Sequence, residues 1–208
     1  MKENFLLLMY EITVTFLPML LTVSVYCRKL KRENFPISAA HYWFLIFYGI
    51  YLIGVFYITG AGTLWTFFRE GLDLHHINLT LFTRDYFETM DILNVIMLVP
   101  FGFFVPLLYK NWNHLGKITL LGGSLSLLIE FSQLLTTRFP DVDDLFYNAL
   151  GAVVGYGCWR LLACLSKKEK NFSKFPSSGL LLMPMVIFLS RFFLFDKAGF
   201  LSLISEYI

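Results

Sequence analysis

Charge is scarce in this chain. Of its 208 residues only 15% are Asp, Glu, Lys or Arg, while 57% are hydrophobic. A water-soluble domain has too little interior to hide that much apolar surface, so the scarcity sets an ordinary soluble enzyme aside. Mean hydropathy of +0.63 points the same way. Cysteine is scarce too. Cys27, Cys158 and Cys164 have neither the spacing of a metal site nor that of a disulfide framework, and they read as reduced thiols near the cytoplasmic side. Also missing are a glycine-rich phosphate loop, a dinucleotide fingerprint and any nucleic-acid motif. No cofactor and no nucleic-acid partner is therefore expected. The net charge of +2 says nothing by itself, because the placement of charge carries the information.

What the chain does have is long apolar runs. They cover residues 5–26, 42–62 and 91–109, then about 117–135, about 144–165 and about 179–195. Each is long enough to cross a bilayer as a helix. The expected fold is an all-α membrane protein, a bundle of about six transmembrane helices joined by short loops, with the lipid bilayer as its first partner. The first run is not a cleavable signal peptide. It is too long, its basic flank follows it, and no small-residue cleavage site comes after. Pro18, Pro100 and Pro106 are expected bends inside spans, and span six contains Pro184. A polar stretch, 64–90, separates spans two and three. Residues 1–40 form an extra N-terminal span and basic loop, 41–195 the main transmembrane domain, and 196–208 a short, weakly amphipathic tail.

Orientation follows from the cations. Loops after spans one, three and five hold ten: Arg28, Lys29, Lys31, Arg32, Lys110, Lys117, Lys167, Lys168, Lys170 and Lys174. The other loops and tails hold five: Lys2, Arg69, Arg84, Arg138 and Lys197. By the positive-inside rule both termini lie outside a multi-pass protein of the cell membrane.

The polar residues of the spans gather at one depth. On span four Ser126, Glu130 and Gln133 fall at i, i+4 and i+7 and share a helical face. On span five Asp144, Asn148, Gly151 and Gly155 do the same. Glu130 sits about 8 Å from the outer end of its span, at a rise of about 1.5 Å per residue. Asn94 and Asn148 enter their own spans from the same side, and Glu11 and Arg191 lie in outer halves as well. Asp91, Arg138, Asp141, Asp143 and Asp144 mark that boundary. A carboxylate at the centre of a membrane helix costs roughly 3 kcal/mol on insertion scales. A chain that keeps one is building a site or locking helices together. The expected site is an outward-facing polar cavity made by Asn94, Ser126, Glu130, Gln133, Arg138, Asp141, Asp144 and Asn148.

Plainer readings compete at each position. Asp143 or Asp144 serves as an N-cap for span five after Pro140. Gly151-x-x-x-Gly155 is a close-packing face against span four, and Asn148 on it bonds across a helix interface for about 0.6–2 kcal/mol. Arg191 snorkels or pairs with Glu11. Glu130 resists such readings, because a carboxyl at that depth must be protonated, paired or hydrated. Two nearby carboxyls cannot both ionise cheaply, so one holds a proton or a cation sits between them. His75 and His76 have no ligand partner at metal spacing, and no metal centre is expected. Asn78-Leu79-Thr80 matches the short glycosylation triplet.

Four segments together resemble the VanZ-like membrane proteins of Gram-positive bacteria: INLTLF (77–82), NVIMLVPFGFFVPLL (94–108), SLSLLIEFSQLL (124–135) and DVDDLFYNALGAVVGY (141–156). The likeness is close over about 77–157 and looser over 41–195. Its specific part is E-x-x-Q, an acidic loop, then D-x-x-x-N-x-x-G on adjacent helices. Leu81 departs from it, standing where the family usually has proline after Asn-Leu-x.

The resemblance implies reduced susceptibility to teicoplanin and related lipoglycopeptides, drugs that act at the outer face on cell-wall precursors. It supplies no catalytic residues. The leading expectation is a non-enzymatic protein that binds the drug or a lipid-linked precursor. One alternative is an intramembrane enzyme acting on an envelope lipid, with Glu130 as general acid and base and Asp141 and Asp144 around a divalent cation. Against it, no nucleophile has an adjacent base. A proton-coupled transporter is the third reading, although six spans show no obvious inverted repeat.

Overall fold

The computed structural model describes residues 2–71, 78, 80–82, 89–136, 141–166 and 174–205. These fold into α1 (Lys2–Arg32), α2 (Ala39–Ile58), α3 (Leu64–Glu70), α4 (Thr89–Leu108), α5 (Leu115–Gln133), α6 (Val142–Ser166), α7 (Leu182–Leu194) and α8 (Lys197–Ser205). No strand occurs among the described residues. Six segments are long and apolar enough to cross a membrane: α1, α2, α4, α5, α6 and Ser177–Leu194, which contains α7. The protein is a multi-pass helical membrane protein.

Helix ends depart from the sequence expectation for local reasons. The basic cluster after span one is not a loop, because α1 runs on through it and holds Lys29, Lys31 and Arg32 in its last turn. Cations there face the negative end of the helix dipole. The polar stretch after span two begins as a helix, α3. Thr63 caps it, taking the Thr66 N–H while the Thr66 side chain accepts from the Thr63 N–H at 3.1 Å. Ser38 and His41 form the same reciprocal box at the start of α2. Each box satisfies two backbone N–H groups that would otherwise stay orphaned. The tail is helical as well, as α8, and buries none of its residues.

Small residues decide which helices touch. A Cβ added at Gly151 or Gly155 would overlap the carbonyl oxygens of Val95 and Val99 on α4, and one at Gly102 that of Ala152 on α6. The Gly151/Gly155 face therefore packs on span three, not on span four as the sequence suggested. Backbones this close need glycine on the approaching face. α5 reaches α6 elsewhere, through Gly122, whose added Cβ would stand 2.6 Å from the Ala152 Cβ.

The two ends of the bundle differ. At the end where α1 and α4 finish, Phe175 is fully buried. Its N–H donates to the Leu108 carbonyl at 2.7 Å and its carbonyl accepts from the Lys110 N–H at 2.9 Å. Tyr26, Phe35, His41 and Tyr109 ring it. That end is plugged by aromatic side chains. The opposite end, where α5 stops and α6 starts, is polar.

Candidate functional site

Asp141 organises the polar end. It precedes α6, and its Oδ1 accepts the Asp143 N–H at 2.9 Å, which makes Asp141 the capping residue rather than Asp143 or Asp144. The side chain, not the acidic count, decides this, because a cap must reach the N–H two or three residues ahead. The same oxygen accepts from Asn78 Nδ2 at 3.1 Å, and the Val142 N–H donates to the Asn78 carbonyl at 3.1 Å. Asn78 also takes the Thr80 N–H at 3.1 Å and its hydroxyl at 2.8 Å. Asp143 is 2% exposed and accepts the Phe82 N–H at 2.9 Å. Phe82 has φ 54, a left-handed conformation, directly after Leu81, where the resemblance led one to expect proline.

This cap turns inward to the membrane carboxylate. The Asp141 N–H donates to Glu130 Oε2 at 3.1 Å, across the α5–α6 connection. Glu130 is 8% exposed, and no cation bonds to it among the described residues. One turn earlier on α5, Ser126 Oγ accepts from Asn148 Nδ2 at 2.9 Å. Asn148 is 2% exposed, and its Oδ1 is buried with no hydrogen-bond partner among the described residues. An unpaired buried oxygen of this kind costs about 1–3 kcal/mol. From α4, Asn94 Nδ2 donates to Asp144 Oδ1 at 2.6 Å. Gln133 Nε2 donates to the Thr59 carbonyl at 2.9 Å, tying the end of α5 to the end of α2.

These side chains surround one cavity of about 590 Å³. Asn94, Glu130, Gln133, Asp144 and Asn148 line it, together with Ile58, Thr59, Met90, Leu93, Met97 and Ile129. Four helices contribute, α2, α4, α5 and α6. Of the remaining expected cavity residues, Ser126 is fully buried beneath Asn148 and Asp141 reaches Glu130 through its backbone. Arg138, with His75 and His76, lies outside the described residues. Among the described residues no group of three or more His, Cys, Asp and Glu is gathered to hold a metal. Asp141 spends its side chain on the cap.

Sequence reasoning did not find Thr59 or the buried role of Asp143. Nothing in the apolar pattern of span two marks Thr59, whose contribution is a carbonyl at the end of a helix. The triplet at Asn78 offered a signal, but as a glycosylation motif rather than as a partner for the cap.

A second cavity of about 410 Å³ lies on the other side of the Thr59–Thr63 link, among Thr63, Arg69, Thr136, Arg191 and Lys197. Its cations are largely engaged. Arg69 Nη1 donates to Asp196 Oδ1 at 2.6 Å, and this bond holds the Asp196 carboxyl below its usual range. Arg191 Nε donates to Glu11 Oε1 at 2.7 Å, with both groups buried, and Arg191 also donates to the Ala61 carbonyl. The expected Glu11–Arg191 pairing is present, between α1 and α7.

In comparisons with known proteins, the family model described as VanZ/LLP1 matches residues 5–163. That match takes in α1 and ends before α7. No curated protein and no solved structure matches the chain.

Proposed function

The chain belongs to the VanZ-like family, and from that premise we propose that it lowers susceptibility to teicoplanin and related lipoglycopeptides at the outer face of the cell membrane. It does so by holding the drug, or the lipid-linked cell-wall precursor the drug seeks, in the polar cavity of α2, α4, α5 and α6. Both termini and this cavity then face outward, a reading that the ten cations against five support under the positive-inside rule. One observation supports the reading above others. Five polar side chains from three helices, all within segments long and apolar enough to span a membrane, converge on a cavity large enough for part of a ligand. Such residues are kept within a membrane when they serve a ligand or a pathway.

The test is teicoplanin susceptibility of cells expressing wild type or Glu130→Gln, with membrane abundance measured alongside. Glu130→Gln keeps shape and hydrogen bonding but removes charge. The expected result is near-normal abundance with the resistance lost. Full resistance in the variant would reduce Glu130 to a polar lock between helices.

A further inference from the structure

Two acceptors in the α2/α4/α5/α6 cavity have hydrogen-bonding capacity left over. Asn148 Nδ2 donates one N–H to Ser126, and its buried Oδ1 has no donor among the described residues. Glu130 stands one turn from Ser126 on α5 and lines the same cavity as Asn148. Its carboxylate takes one backbone N–H, from Asp141, and has no cation among the described residues. The described cavity wall contains no Lys, Arg or His, while Met90, Leu93 and Met97 supply apolar surface.

Resting on the reading of this cavity as a ligand site, we propose that it takes a protonated primary amine whose N–H groups bond to the Glu130 carboxylate and Asn148 Oδ1. An ammonium carries three donors and no acceptor, so it can donate both to the Glu130 carboxylate and to Asn148 Oδ1, the two acceptors with capacity left over. It also compensates the carboxylate, which a neutral hydroxyl does not. A quaternary ammonium has the charge but no N–H for the orphaned amide oxygen. A phosphate brings negative charge towards Glu130 and Asp144. The alkyl part of the ligand lies along the methionines, whose unbranched side chains adapt to irregular shapes.

The experiment uses the full chain in phosphatidylcholine nanodiscs at neutral pH, titrated with dodecylamine, dodecyltrimethylammonium, dodecyl glucoside and dodecyl phosphate. The melting temperature is the readout. Dodecylamine is expected to raise it saturably, and the trimethyl and phosphate probes are not. Asn148→Leu and Glu130→Gln should each weaken the amine by about tenfold, the scale of one charge-assisted hydrogen bond. Equal responses to dodecylamine and dodecyltrimethylammonium overturn the proposal, as does tighter binding of the glucoside or the phosphate. So does an amine affinity within about twofold of wild type in Glu130→Gln. If a variant does not fold, the wild-type comparison of the two ammonium probes decides alone. Drug susceptibility is read separately. Amine binding with unchanged susceptibility in Glu130→Gln sinks the resistance reading only, and lost resistance without amine binding sinks only the ligand class.

Discussion

Glu11 and Arg191 show how a single buried charge is tolerated in this protein. Each is about nine-tenths buried, and each is the other's partner at 2.7 Å. Breaking such a pair from one side strands a charge, which typically costs about 3–5 kcal/mol, whereas replacing both sides with apolar groups is often neutral. Arg191→Leu should therefore lower the melting temperature of the purified protein sharply, and Glu11→Leu added to it should recover most of the loss. A double variant as unstable as Arg191→Leu alone would mean that the Ala61 carbonyl, not Glu11, is the contact that counts. Asn148 is the contrasting residue. Its amide nitrogen is satisfied by Ser126 and its oxygen is not, so stability alone does not explain it.

At the scale of elements, the close pair is α4 and α6. Gly102, Gly151 and Gly155 bring the two backbones so near that an added methyl meets a carbonyl oxygen at every one of these positions. Overpacking a tight contact costs about 1–3 kcal/mol, and more where the obstacle is backbone. Gly155→Ala should reduce the melting temperature, and Gly151→Leu should remove the protein from the membrane. Gly123→Ala is the control, since nothing stands within 4 Å of a Cβ there. Equal behaviour of Gly155→Ala and Gly123→Ala would show that α4 and α6 do not meet along this face. The same pair carries the Asn94–Asp144 bond, so loosening the glycine contact is expected to disturb the cavity before it unfolds the bundle.

Orientation is a property of the whole molecule. Among the described residues Lys29, Lys31, Arg32 and Lys110 lie at the end plugged around Phe175, and the polar cavity sits at the other end. In a background without Cys27, Cys158 and Cys164, a cysteine placed near residue 141, with Asp141 itself kept, should react with an impermeant thiol reagent in intact cells, and one near residue 170 should not. The reverse pattern would place the cavity on the inner face and remove it from any external drug. Much of this plan was legible in the residues. Six apolar runs give six spans, helical periodicity puts Ser126, Glu130 and Gln133 on one face, and counting from span ends puts Asn94, Glu130 and Asn148 at one depth. The placement of Glu11 and Arg191 in outer halves offered their pairing as one of two readings, beside a snorkelling arginine, and the pair is present. Which face meets which neighbour was not legible. Lipid is as apolar as leucine, so hydrophobicity does not rank the partners of a membrane helix, and backbone approach does. Only the tertiary structure set the α6 glycines on α4, joined Gln133 to the Thr59 carbonyl, and made Asp141 rather than its acidic neighbours the cap. The first two depend on a backbone atom far away in sequence, and side-chain pattern carries no record of where such atoms come to lie; the cap depends on the residue at which α6 begins, which the neighbouring acids Asp143 and Asp144 leave open.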